Sequence, residues 1–146
     1  GYNYGSQNNK ELKNMFNKSL IIITALAVSL TVIAESVSYP LTSSFVGYDK
    51  SLFELTHNGF MIFSISYLMC GFNIWGSAFF TALGNGGISA AISFLRSLLF
   101  QIVSIFVLPL IFGISGIWMS VVVAESLSLV VTVVFLITQR KKYSYV

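Results

Sequence analysis

Apolar and polar positions along this chain form blocks that are much longer than those of a soluble protein. About 20 consecutive apolar residues are enough for a helix to cross the ~30 Å hydrocarbon layer of a membrane. Strands of a membrane barrel would be shorter and would alternate in polarity, so the runs predict helices. We expect four transmembrane spans, at residues 19–45, 59–83, 92–112 and 116–138.

The breaks between the apolar blocks predict how the spans connect. Gly84 to Gly87 and Gly113 to Ser115 are short enough to be direct reversals between neighbouring helices. The connection from Val46 to Asn58 is longer, and Ser51 to Glu54 has the spacing of a capping box. A helix starting at Ser51 either continues into the second span or ends at Asn58 as a separate surface helix, and both alternatives remain open.

Composition agrees with this pattern. Hydrophobic residues make up 55% of the 146 residues and charged residues only 9%, compared with about 25% charged residues in a soluble domain. A soluble chain of this length leaves too much surface in water to hide so many apolar side chains. The sequence therefore predicts an all-α integral membrane protein.

The basic residues predict the orientation. Of the 8 lysines and arginines, only Lys50 lies in the long connection, and the others precede the first span, follow the Gly84 turn or follow the last span. Because positive residues are retained in the cytoplasm, we expect a multi-pass cell-membrane protein with both ends cytoplasmic. The charge of +3 reflects this retention, and we expect no nucleic-acid partner.

The two polar ends and the single arginine between spans fit this orientation. Residues 1–18 carry Leu12 and Phe16 at helical spacing among lysines and asparagines, which predicts an amphipathic cytoplasmic lead. Residues 139–146 form a basic cytoplasmic tail. Arg96 would begin the third helix at the cytoplasmic surface and anchor it by extending its side chain to lipid phosphates.

The residue types that support enzyme chemistry are scarce. The chain has one cysteine and one histidine, and it contains no metal-ligand cluster, nucleophile motif, phosphate-binding loop or paired carboxylates. We therefore expect no enzyme activity, no bound metal and no organic cofactor.

Glu35 and Glu125 are the acidic residues inside the spans. An ionised side chain in the bilayer is costly unless it faces protein or water. Each acid lies about 14–15 Å from the external end of its helix, so the two are expected at one level of the membrane. Glu35 shares a helical face with Thr31 and Ser38. Each acid is either a cation or proton site lining a cavity, or a structural carboxyl group hydrogen-bonded to a neighbouring helix.

Other polar positions in the spans also have two interpretations. One face of the second span carries Asn73, Ser77 and Thr81, which would line a cavity or allow close helix packing. Pro40 removes one backbone hydrogen bond from the first span. It marks a gating bend or a passive kink near the external end.

Three sequence segments, taken in order, resemble one transporter family. GYNYG at residues 1–5, FNIWGSAFFTALGNGGISAAISFLR at 72–96 and LPLIFGISGIWMSVVVAE at 108–125 are similar to the C-terminal portion of the multidrug and toxic compound extrusion (MATE) transporters. The resemblance implies that the chain holds helices nine to twelve of a twelve-helix, two-lobed exporter. Such exporters exchange drug-like organic cations or amphipathic compounds for sodium ions or protons, and this chain would pair with an N-terminal lobe and with membrane lipid.

Two alternatives stay open at this point. A lipid-linked oligosaccharide flippase or polysaccharide exporter of the same superfamily would share the helices, although it would need several buried lysines or arginines for pyrophosphate. A free-standing four-helix membrane protein with a packing or scaffold role is the second alternative. The absence of an initiator methionine leads us to expect the C-terminal part of a longer protein.

Overall fold

The computed structural model describes residues 1–145 and is helical throughout. Four of its helical stretches are long and apolar enough to cross a membrane: Asn9–Val46, Lys50–Ala82, Gly86–Phe112 and Ile114–Tyr143. The four predicted spans are therefore confirmed. Each stretch extends beyond the bounds predicted from the apolar runs alone, at one end or at both.

The first span includes most of the predicted amphipathic lead. A short helix α1 (Tyr2–Gly5) is followed by α2 (Asn9–Val46), whose first turn is capped by the side chain of Asn8. Leu12 and Phe16 are buried, so their helical spacing serves packing within the protein. The lead is thus continuous with the span from Asn9 onward.

The second span is a helix with an interruption. It consists of α3 (Lys50–Ser64) and α4 (Tyr67–Ala82). Asp49 caps α3 by accepting hydrogen bonds from the amides of Ser51 and Leu52, at 2.9 and 3.1 Å. The N-cap predicted at Ser51 is therefore two positions late, and the alternative in which the helix continues past Asn58 is confirmed. The sequence did not predict the break after Ser64.

The third span begins earlier than its apolar run. Gly84 adopts a φ of +74°, which glycine tolerates without strain, and the side chain of Asn85 accepts a hydrogen bond from the amide of Ile88. Helix α5 (Gly86–Phe94) then leads through a π-helical turn (Leu95–Phe100) into α6 (Gln101–Phe112). The predicted reversal is confirmed, but residue 92 is not the start of the helix.

The fourth span is reached through a single residue. Gly113, with a φ of 60°, ends α6 and caps α7 (Ile114–Tyr143). Gly116 lies against the backbone of Leu108 and Pro109, so α6 and α7 approach closely just after the turn. Helix α4 lies at the centre of the bundle and packs on α2, α5 and α7.

The predicted basic tail is partly folded into the protein. Helix α7 continues through the basic residues to Tyr143, and Ser144 then reverses the chain in the left-handed region. The ring of Tyr145 lies 5.0 Å from that of Phe16 and 4.9 Å from that of Phe79, and its hydroxyl donates to the carbonyl oxygen of Leu136 at 2.6 Å. Burial, with a further contribution from Tyr143, raises the pKa of Tyr145 to about 12, so the docked ring is neutral at pH 7. Val146, the last residue of the predicted tail, lies outside the described residues.

Candidate functional site

A buried ion pair joins the third and fourth spans. The Nε of Arg96 donates to both carboxylate oxygens of Glu125, at 2.9 and 3.0 Å. Asn73 of the second span donates from Nδ2 to a carboxylate oxygen of Glu125 at 2.7 Å and to the Glu125 carbonyl oxygen at 3.0 Å. Thr132 completes the arrangement by donating to Oδ1 of Asn73 at 3.1 Å. Three spans thus meet at one carboxylate, in an arrangement that we call the Glu125 centre (Asn73, Arg96, Glu125 and Thr132).

Local structure explains how these side chains meet. The π-helical turn Leu95–Phe100 carries Arg96, and such turns often occur at functional positions in helices. Gly76 lies against the side chain of Thr132, so the absence of a Cβ at Gly76 allows α4 and α7 to approach closely. Asn73 is fully buried between them.

Arg96 was predicted to be a surface anchor, whereas the structure directs its guanidinium to Glu125. Its helix begins at Gly86, so the guanidinium lies well inside the span and is directed towards Glu125. Its Nη2 also donates to the Sγ of Cys70 at 3.2 Å. An unpaired carboxylate and an unpaired guanidinium are each costly away from water, and their mutual attraction offsets part of that cost.

The structural interpretation of Glu125 therefore has direct support. The whole residue is 8% exposed, and its carboxylate accepts hydrogen bonds from two other helices. In this arrangement the pair holds the three spans in register. Neither interpretation made from the sequence gave Glu125 a basic partner, because Arg96 was assigned to the cytoplasmic surface.

A cluster of hydroxyl groups adjoins the Glu125 centre. Ser77 lies 2.9 Å from the Ser89 hydroxyl and 2.8 Å from the Ser93 hydroxyl, and Thr81 lies 2.7 Å from that of Ser89. These contacts link α4 to α5. A cavity of about 260 Å³ lies beside them, lined by Asn73, Ile74, Ser77, Ala78, Ile92, Ser93 and Arg96. Asn73 and Ser77 thus both pack helices and line a cavity, whereas Thr81 is exposed.

Glu35 lies in a different part of the bundle. The Ser64 hydroxyl donates to its carboxylate at 3.4 Å, and the Ser38 hydroxyl donates to its backbone carbonyl at 2.7 Å. Thr31 is buried one turn earlier and donates to the carbonyl of Ala27 at 2.9 Å. Within residues 1–145, no basic side chain forms an ion pair with Glu35.

The expectation that the two acids share a level is wrong. Glu35 contacts Ser64 and Glu125 contacts Asn73, and both partners belong to the second span. The interval between these partners corresponds to about 13 Å of helix rise. Counting residues from helix ends misplaced the acids because equal counts imply equal levels only where the helix ends are themselves level. Glu35 lies 11 residues before Val46 and Glu125 lies 11 residues after Ile114, so the ends of α2 and α7 are offset along the second span.

Pro40 lies within α2, which continues to Val46. Its side chain is exposed, and the hydroxyl of Ser44 donates to its carbonyl oxygen at 2.8 Å. The helix passes this position without a break. A gating bend at Pro40 stays a prediction.

Sequence reasoning missed the pairing of Arg96 with Glu125, and a usable signal was present. Both residues are reached from the Gly113 turn, Arg96 about 25 Å back along one helix and Glu125 about 18 Å forward along the next. The long, flexible side chain of arginine can cover the difference. Two opposite charges on either side of a helix reversal indicate a pair when their distances from the turn differ by no more than the reach of a long side chain. Ser89, which links Ser77 to Thr81, carried no comparable signal.

No metal centre is apparent in the part of the chain that the structure describes, since no three histidine, cysteine or acidic residues in residues 1–145 come close enough to hold an ion.

Comparison with known families decides the class of protein. The family model MatE matches residues 1–107 of the chain. The chain belongs to the MatE family. The match covers the first three spans almost completely, including Glu35, Asn73 and Arg96, and stops before Glu125. No curated protein and no solved structure matches this MatE chain. Together with its four apolar helices, the family makes it a multi-pass membrane protein of a transporter family.

Proposed function

We propose that this MatE chain works in an antiporter that exports cationic or amphipathic compounds in exchange for sodium ions or protons. The observation that carries the proposal is the difference between the two acids of the spans. Glu125 is neutralised by Arg96, whereas Glu35 has no basic partner within residues 1–145. An ionised Glu35 inside a membrane span is costly by itself, and a bound cation or proton would offset the cost.

The charge balance argues against a flippase for pyrophosphate-linked sugars. Such a substrate would require free positive charge deep within the spans, and Arg96, the basic residue inside the predicted apolar segments, is already paired with Glu125. Membership of a transporter family gives no support to a scaffold role. Transport of an organic cation is therefore the better hypothesis.

The position of the chain within a complete transporter is part of this proposal. We infer that the four spans are helices nine to twelve of a two-lobed, twelve-helix protein. The half-buried face around Glu35 would then look towards a cavity shared with the N-terminal lobe. Drug uptake into inverted vesicles under imposed sodium or proton gradients tests the activity. Gradient-independent movement of a lipid-linked sugar would contradict it.

Glu35→Gln is expected to lower efflux of cationic drugs severalfold in the full-length transporter. Glutamine keeps the shape and can still accept the hydrogen bond from Ser64, but it removes the negative charge. A purely structural carboxyl group would tolerate this change. The measurement is the rate of gradient-driven dye efflux from cells that express equal amounts of each variant.

Glu54→Gln is the matched control. Glu54 is an exposed acid in the first turn and a half of α3, outside the α2 face that carries Glu35. Efflux should stay at the parental rate in this variant. If Glu35→Gln also transports at the parental rate, coupling lies elsewhere in the protein.

The orientation gives a second test. We propose that the Gly84–Gly87 turn is cytoplasmic and that the loop before α3 is external. Because Asn85 and Asp49 cap helices, the probes are better placed at Gly87 and Tyr48, which are exposed. In a Cys70→Ala background, Tyr48→Cys should react with an impermeant thiol reagent in intact cells, and Gly87→Cys only after the cells are opened. The opposite labelling pattern would reverse the proposed topology.

A further inference from the structure

An apolar groove separates the first and last spans near the end of the bundle where α7 ends. We call it the α2–α7 groove; it is lined by Phe16 and Leu20 of α2, Trp75 of α4, and Val133, Leu136 and Arg140 of α7. An inner cavity of about 310 Å³ and an outer cavity of about 190 Å³ share Val133 and Leu136. The two cavities therefore lie next to each other along α7.

The walls of the groove suit a hydrocarbon chain. Leu20, Trp75 and Val133 present apolar surface along its inner part. Thr132 also lies there, but its hydroxyl is directed to Asn73 and engaged in the Glu125 centre. Apolar surface inside a bilayer has no water to release, so an acyl chain fills such a groove through close van der Waals packing.

The outer mouth of the groove is basic. Arg140 lines it directly and is exposed, and Lys13 lies one turn before Phe16 on the same face of α2. The packing of Tyr145 on Phe16 brings the ends of α2 and α7 together, and both ends carry further basic residues. These are Lys10, Lys18, Lys141 and Lys142. Glu11 is the single acidic side chain among residues 1–18 and 139–145.

We propose that the α2–α7 groove binds a phospholipid with an anionic headgroup. One acyl chain lies along Leu20, Trp75 and Val133, and the phosphate lies beside Arg140. A guanidinium forms short, charge-assisted hydrogen bonds with phosphate oxygens. The surrounding lysines favour a headgroup that carries a net negative charge over a zwitterionic one.

Trp75 allows the proposal to be tested inside the groove. The full-length protein in detergent is titrated with phosphatidylglycerol whose acyl chains are brominated, and separately with brominated phosphatidylcholine. Bromine quenches nearby indoles, and the contribution of Trp75 is the difference between the protein and its Trp75→Phe variant. We expect phosphatidylglycerol to quench Trp75 at a severalfold lower mole fraction than phosphatidylcholine.

Two substitutions locate the headgroup. Arg140→Gln should reduce the preference for phosphatidylglycerol about fivefold, which is the effect expected for the loss of one cation at a membrane surface. Lys50→Gln, at the opposite end of the bundle, should leave the preference unchanged. Inorganic phosphate at the concentration of the lipid should not reverse the quenching. The elution profile in size-exclusion chromatography verifies that each variant is folded.

Several results would overturn the proposal. Equal quenching by the two lipids would show that the groove selects no headgroup. Quenching by neither lipid would show that another part of the protein covers the groove. If Arg140→Gln keeps the preference for phosphatidylglycerol, the lipid phosphate does not lie beside Arg140. If inorganic phosphate reverses the quenching of Trp75, the site binds the free ion and not a lipid.

Discussion

Arg96→Leu should destabilise the protein by about 3–5 kcal/mol, because it leaves the Glu125 carboxylate buried without its counter-charge. The two side chains are 23% and 10% exposed, so water can compensate only a small part of the loss. Asn73 would still donate to the carboxylate, but an amide does not supply a charge. The effect is measured by heating each variant in detergent and recording the amount of protein that remains monodisperse at each temperature.

A double-mutant cycle distinguishes pairing from independent roles. Glu125→Leu alone should also be strongly destabilising, because it leaves the Arg96 guanidinium without its counter-charge. The double variant Arg96→Leu/Glu125→Leu should recover most of the lost stability, because it leaves neither charge without a partner and Asn73 keeps its bond to the carbonyl oxygen of residue 125. Lys141→Leu, an exposed change at the end of α7, is the control. Additive losses in the double variant would mean that the pair does not act as a unit.

Gly116→Ala is expected to cost about 1–3 kcal/mol, the usual penalty for forcing an extra carbon into a packed interface. The new Cβ would meet the carbonyl group of Leu108 and the nitrogen of Pro109. Both are backbone atoms, so no side-chain rotation can make room, and α6 and α7 would have to separate. Thermal unfolding in detergent is again the measurement.

Gly86→Ala is the matched control for this prediction. An added Cβ at Gly86 meets nothing within 4 Å, and the residue lies in the first turn of α5. Alanine there should be neutral or slightly stabilising, by up to about 1 kcal/mol, because it lowers the entropy of the unfolded chain. Equal losses in the two variants would show that the penalty comes from the loss of glycine itself and not from the contact between α6 and α7.

The existence of four apolar helices long enough to span a membrane could be predicted from the sequence. Each apolar run is long enough to cross the hydrocarbon layer, and length and hydropathy are properties of a segment alone. The reversals at Gly84 and Gly113 could also be predicted from the local sequence, because both residues adopt positive φ angles that favour glycine. The stripe of Leu12 and Phe16 predicted an amphipathic segment, and in the structure both side chains are buried.

Helix ends were less predictable. Residues 9–18 include lysines and asparagines that a hydropathy pattern assigns outside the membrane, yet they continue the helix of the first span. The third span starts at Gly86 because the Asn85 side chain caps it. Polar residues can extend a membrane helix into the aqueous side, so the end of an apolar run does not mark the end of the helix.

The sequence by itself determined the class of the protein, the number of its spans and the two acids inside them, because these follow from local composition and spacing. Only the tertiary structure decided that Glu125 is paired with Arg96 while Glu35 has no basic partner among residues 1–145. The same holds for the docking of Tyr145 on Phe16. The physical reason is that a partner depends on how far each helix is rotated and shifted along its neighbour. These rotations and shifts are set by packing among several helices at once, so the sequence of a single segment does not determine them.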